Sequence, residues 1–204
     1  MRRKKSTRKS NVGRPRAFDR ERALGQALRL FWANGYEGTS IADLTKALGI
    51  APPSLYAAFG SKEELFKETI RLYGSRYGLD IAGAITEESS AKATIARILR
   101  EAATTFARRG MPRGCFIASG MLSTAIEHKP LSDHLAARRE AMMQAIKGCI
   151  QRSSAAGELN RSTDVDGLAC FFAAVISGMS VQARDGADRK ALAKIGELAL
   201  RAWP

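Results

Sequence analysis

The chain has 204 residues, 45% of them hydrophobic, and carries 33 Lys/Arg against 20 Asp/Glu for a formal net charge of +13. That apolar share can fill a core, which excludes global disorder, and the basic surplus predicts attraction to a polyanion without selecting a fold. Cys115, Cys149 and Cys170 form no C-x-x-C and no zinc spacing with the two histidines. No disulfide framework, metal site or cofactor is therefore expected, and reduced thiols in a cytoplasmic protein fit best.

Residues 1–20 hold nine Lys/Arg and one Asp, a net +8, which leaves +5 for the rest of the chain. Residues 1–17 lack hydrophobic periodicity and read as a flexible basic arm suited to nucleic acid. Charged residues stand where a secretory leader needs an apolar run, so no signal peptide is expected. Within the arm, Pro15 keeps Gly13-Arg14-Pro15-Arg16 extended. Arg14 and Arg16 can then enter a narrow A·T-rich minor groove or simply neutralise phosphates.

From residue 18 onward nearly every segment reads as helix. Asp19 can cap a first helix whose Ala23, Leu24, Ala27, Leu28, Phe31 and Trp32 share one face, ended by Asn34-Gly35. Thr39 or Ser40 can cap a second, with Ile41, Leu44 and Leu48 inward and Gly49 as the break. A third opens at Pro52, where a missing N–H costs nothing, carries Leu55, Tyr56 and Phe59, and stops at Gly60. Ser61 to Glu64 has the form of a capping box for a fourth, which runs through Tyr73 towards Tyr77.

Longer amphipathic helices follow near 91–109, 114–127, 131–156, 164–183 and 188–202, about nine in all. The most apolar stretch, Leu168–Val181, spans 14 residues, short for a bilayer and suited to a buried helix.

Two short helices around Gly49 form a helix-turn-helix, the second entering a major groove N-terminus first. Pro52, Pro53, Ser54 and Ala57 then face base edges, and Tyr56 and Lys62 stand near phosphates. Thr39 or Ser40 offers a hydroxyl at a helix N-terminus, a ready phosphate site.

The combination is specific. Ala27-Leu28-Arg29-Leu30-Phe31, Asn34-Gly35-Tyr36, Thr39-Ser40-Ile41-Ala42-Asp43-Leu44, Ala47-Leu48-Gly49-Ile50, Ser54-Leu55-Tyr56-Ala57-Ala58-Phe59 and Ser61-Lys62-Glu63-Glu64-Leu65-Phe66 together resemble the tetracycline-repressor (TetR) family. One position departs from that pattern, Thr45 standing where Ala is common. The resemblance implies an all-α protein, a homodimeric repressor with a helical effector-binding domain, release from operator DNA on effector binding, and phosphate contacts at Tyr56 and Lys62. It divides the chain into an arm (1–17), a DNA-binding domain (18–66) and a ligand-binding and dimerisation domain (67–204). An unidentified small-molecule effector is the remaining partner, and no membrane is expected.

In the larger part, Arg113-Gly114-Cys115-Phe116 resembles TetR-type domains with a Cys opening the sixth helix. A helix N-terminus beside Arg113 would lower the Cys115 pKa and make it a sensor; the alternative is a small buried thiol. Phe106, Met111, Cys115, Phe116, Met121, Met142, Met143, Cys149 and Phe171 are candidates to line an apolar pocket. Leu168, Phe172, Val175, Ile176 and Met179, with Leu198 of the last helix, are candidates for an intersubunit four-helix bundle. His128 is expected to cap a helix C-terminus.

Two other functions compete: a non-specific basic DNA-binding protein, and a helical enzyme. Against the enzyme, the chain holds no G-x-S-x-G, P-loop, H-E-x-x-H or G-x-G-x-x-G, and its one S-x-x-K, Ser89 to Lys92, has no supporting residues.

Overall fold

A computed structural model describes residues 18–121 and 125–204 of the chain. Arg14 and Arg16 lie outside the described residues. The described residues form ten α-helices and one 3₁₀ turn, with no strand: α1 Arg20–Asn34, α2 Ile41–Leu48, α3 Pro52–Phe59, α4 Lys62–Arg76, α5 Ile81–Glu87, α6 Ala91–Phe106, α7 Phe116–Ser119, the 3₁₀ turn Ile126–His128, α8 Lys129–Ala155, α9 Val165–Arg184 and α10 Arg189–Leu200.

Local chemistry sets most of these limits. Asp19, Ser40, Ser61, Asp80, Ser90, Asp164 and Asp188 each accept a backbone N–H at a helix start. The reciprocal capping box belongs to Ser40 and Asp43, not to Ser61 and Glu64. At Ser61 only the hydroxyl half is made, because Glu64 turns to Lys67 instead. Thr45, the departure from the family pattern, returns its hydroxyl to the carbonyls of Ile41 and Ala42 at 2.9 and 3.1 Å, so the helix absorbs it. Gly49 ends α2 in the left-handed region, φ +68°.

Two expected elements differ. In the segment read as a helix over 114–127, the described residues are helical at Phe116–Ser119 and again in the 3₁₀ turn. Glycines at both ends of that piece set its shape, Gly114 with φ +80° before it and Gly120 after it. The second difference is α5, Ile81–Glu87, a stretch where no helix is expected from the sequence. An ion-pair cluster fastens α5 to α6: Arg97 reaches Glu87 at 2.8 Å, Glu101 at 2.9 Å and Asp80 at 3.9 Å.

Two buried clusters organise the molecule. One lies among α6, α8, α9 and α10, and includes Ile95, Ile98, Phe106, Ile146, Phe172 and Met179. The other joins α1 to α4, around Phe31, Trp32, Leu44, Leu55, Phe66 and Tyr73. Phe116, Met121, Leu131 and Leu135 complete this second cluster from beyond residue 110. The helix-turn-helix head is thus built into the body through a shared core.

Gly114 tests how tight that joint is. A Cβ there would stand 2.7 Å from the Ser180 carbonyl oxygen and 2.9 Å from Arg184 Cγ. Gly114→Ala is expected to lower unfolding free energy by about 1–3 kcal/mol in a denaturant titration, from positive-φ strain and overpacking. Gly110 has a similar φ of +76° but nothing within 4 Å of its Cβ direction, so Gly110→Ala isolates the strain alone.

Candidate functional site

The head presents one helix outward. Leu44 and Leu55 are buried between α2, α3 and their neighbours, and Pro52, Pro53, Ser54, Tyr56 and Ala57 are exposed on α3. The residues expected to face base edges are thus all on the open surface of α3. The two prolines occupy the first turn, where no intrahelical N–H is lost. They leave Ser54 as the hydrogen-bonding side chain there, so α3 has little capacity for direct base readout.

The four residues expected near phosphates sort differently. Tyr56 is exposed, as such a role needs. Thr39 is fully buried and its hydroxyl donates to the Gly35 carbonyl at 2.7 Å, so it braces the turn and offers nothing to a phosphate. Ser40 is exposed, but its hydroxyl donates to Asp43 at 2.6 Å. Those hydrogen bonds hold the Asp43 carboxyl below its ordinary pKa. Lys62 lies over the Tyr36 ring, 4.1 Å from its centroid, and partial burial pushes its pKa down against the opposing pull of Glu37. Lys46, exposed in the last turn of α2, is a basic residue of this surface that the sequence reading missed.

A cavity of about 560 Å³ opens between α4, α5, α8 and α9. Of the expected pocket residues, it brings together Phe106, Cys115 and Met142. Phe116 and Met121 instead are buried in the head's core, with Met111 packed on it. Cys149 is buried in the other core, and Phe171 is exposed on the outer face of α9. Met143 does not line the cavity either. The wall also includes Tyr73, Leu79, Ile81, Ile85, Ile117 and Arg139, which the sequence reading missed.

Cys115 sits at this wall as the residue preceding α7. Burial pushes its thiol pKa up, opposed by the Tyr73 hydrogen bond and by Arg139, with Arg113 taking no part. Arg113 lies on another surface, beside Arg109, Arg189 and Lys190. The low pKa expected from an Arg113 neighbour is therefore overturned, and a four-residue helix contributes little dipole. Tyr73 approaches Cys115 Sγ at 3.4 Å through its hydroxyl, whose pKa is raised well above normal by burial.

Residues 23–69 match the family described as bacterial regulatory proteins, tetR family, and residues 91–197 match the tetracyclin repressor-like C-terminal domain. The chain belongs to the TetR family. It is a helix-turn-helix transcriptional regulator of that family. The HTH-type transcriptional repressor ComR of Escherichia coli (strain K12) is 35% identical over 197 residues, which are 96% of this chain and 94% of that protein. The repressor BdcR of the same strain is 33% identical over 85% of this chain and 83% of its own length. Among solved structures, a cysteine mutant of the TetR family regulator CifR complexed with 26-bp double-strand operator DNA is 43% identical. It covers 94% of this chain and 100% of that one, with a TM-score of 0.87. Both of these Escherichia coli relatives are named as HTH-type transcriptional repressors.

In this TetR-family chain the cavity and the head share one joint. Trp32 at the end of α1 donates from Nε1 to the Gly114 carbonyl at 3.2 Å. Arg184, at the end of α9, donates to the carbonyls of Trp32 and Ala33, both at 3.1 Å. Ser180, one turn earlier, accepts the Cys115 backbone N–H at 2.7 Å. His128 closes the 3₁₀ turn Ile126–His128, at a helix C-terminus as expected. It precedes α8, 2.9 Å from Glu37 of the head, with its ring against Tyr36.

The face of α9 differs from expectation too. Phe172, Ile176 and Met179 are buried inside the protomer, and Ile176 also lines the cavity. Leu168 and Val175 are half-buried on the same core. The open strip carries Cys170, Phe171, Ala174, Gly178 and Val181, and of the expected interface residues Leu198 of α10 alone is exposed. By length and composition α9 is long and apolar enough to cross a membrane, more than the 14-residue stretch suggested.

Proposed function

We propose that this chain is a homodimeric, cytoplasmic repressor that grips a palindromic operator with two copies of α3 and leaves it when a small molecule fills the cavity. The observation that carries this reading is the exposed start of α3 on a head whose Leu44 and Leu55 are fully buried. The curated repressors ComR and BdcR, and the operator complex of CifR, support it. Residues 18–66 form the reading head, 67–204 the sensing and dimerising body, and 1–17 a basic arm for the minor groove.

Release follows from the joint. The helix α4 has 15 residues, about 22 Å, with Lys62 at the head and Tyr73 at the cavity wall. A ligand that displaces Tyr73 tilts α4 and changes the separation of the two α3 copies, which must match half-sites roughly 34–36 Å apart or a multiple. A 100-fold loss of operator affinity needs a coupling of about 2.7 kcal/mol.

The test is a footprint with the purified full chain on the DNA flanking its own gene. Protection of an inverted repeat supports the reading. Salt-sensitive binding with no preferred sequence supports a non-specific basic binder instead. On the same duplex, Tyr56→Phe is expected to weaken binding about three- to tenfold, the effect of one hydrogen bond to phosphate. The slope of log K against log salt should not change, because a neutral hydroxyl releases no counterion. Unchanged affinity removes Tyr56 from the contact set.

A further inference from the structure

We infer that the effector cavity takes an amphiphile with an anionic head and an aliphatic body, the head held by Arg139 and Arg138. This rests on the reading of the cavity as the effector site. The residues facing it include two arginines and no Asp, Glu, Lys or His. Neither arginine has a carboxylate partner among the described residues. Arg139 is half-buried and spends one N–H on the Ile117 carbonyl at 2.9 Å, which leaves its other donors for a ligand. Arg138 is exposed at the rim, close to Gly74 of α4.

A guanidinium drawn into an apolar wall without a counter-charge is costly unless something supplies the charge. Elsewhere this chain does supply it, Arg97 having Glu87 and Glu101 at 2.8 and 2.9 Å. The rest of the wall, Leu79, Ile81, Ile85, Phe106 and Met142, suits an alkyl or alkenyl body. A planar fork selects a carboxylate over a neutral head and repels a cation. Because Arg138 and Arg139 are on α8 and Leu79 and Ile81 lie at the end of the α4–α5 connection, such a ligand would bridge the two walls.

The experiment is isothermal titration of the full chain, without DNA, with three ten-carbon probes: decanoate, decanol and decyltrimethylammonium. Decanoate is expected to bind about ten- to hundredfold more tightly than decanol, the contribution of a charge-assisted hydrogen bond. The cation should bind weakest. Shortening decanoate to octanoate should weaken it about fourfold per methylene. Arg139→Met should narrow the preference for decanoate over decanol about tenfold, with helical content checked by circular dichroism. Equal binding of decanoate and decanol, preference for the cation, or no binding of any probe overturns the inference with the unaltered chain alone. A sequence-specific footprint obtained alongside keeps the repressor reading standing in those cases, and its absence removes that reading separately.

Discussion

Replacing Phe116 by alanine is expected to lower the unfolding free energy by about 3–5 kcal/mol, with loss of operator binding at growth temperature. Phe116 is fully buried, its ring 5.3 Å from Phe66 and 5.7 Å from Tyr73, centroid to centroid, with both pairs edge-on. Phe66 in turn contacts Phe31 and Tyr36, so the ring closes an aromatic cluster that runs from α1 through α4 into the body. The space left by the ring is walled by helices that hold the head, so collapse is limited and the cavity term stays large. Such a loss is a large part of the 5–15 kcal/mol of a typical domain. Met142→Ala gives the contrast. Met142 is half-buried at the cavity proposed to take the effector, so its truncation should move stability by under about 1.5 kcal/mol and change ligand affinity instead. Urea titration followed at 222 nm measures both. If Phe116→Ala kept its stability and changed only ligand affinity, Phe116 would be a pocket residue and the shared core would be misassigned.

The contrast shows where the sequence stops being informative. The head was legible because its signals are local. Ser40, Gly49, Pro52 and Gly60 fix helix ends through their own backbone chemistry, and Leu44 and Leu55 follow from periodicity within one turn. The choice between Thr39 and Ser40 as cap was not legible, since either hydroxyl can reach an amide. Only the packing of Tyr36 and Gly35 buries the first and exposes the second. Residue type named Phe116, Met121 and Cys149 as pocket candidates, yet apolar side chains line cores and pockets alike. What separates them is how the helices pack: Phe106 and Met142 face the space between α4, α5, α8 and α9, whereas Phe116, Met121 and Cys149 lie in the cores. That arrangement carries no periodic signal. Likewise Phe171 and Phe172 are adjacent, 100° apart on α9. A helix apolar all round does not reveal its inner side until α6 and α10 are packed against it.

Phe171→Asp is expected to convert the dimer to monomers and to weaken operator binding by about 10²–10⁴-fold, the gain normally supplied by joining two half-site contacts. The outer face of α9 leaves Phe171 39% exposed and Val181 45%, and Leu198 of α10 is 49% exposed. Cys170, Ala174 and Gly178 continue the strip without a charge, and soluble protomers seldom leave such a strip uncovered. Lipid and a second copy are the two candidate covers, and the other side of α9 decides between them. Phe172 and Met179 are fixed in the core, Ser180 holds the Cys115 N–H, and Arg184 holds the end of α1. A helix with one side built into a polar-surfaced body cannot be taken into a bilayer, but it can pair with its own symmetry mate, two α9 and two α10 forming a bundle. An aspartate at 171 would bury a carboxylate against apolar side chains in that bundle, whereas in the lone protomer it meets solvent. The variant should therefore keep wild-type helicity while its mass by light scattering falls from two chains to one of 22.1 kDa. Phe172→Ala, one position along, should do the opposite, lowering protomer stability because its ring is fully buried. A Phe171→Asp chain that stayed dimeric and held its operator would move the interface away from α9.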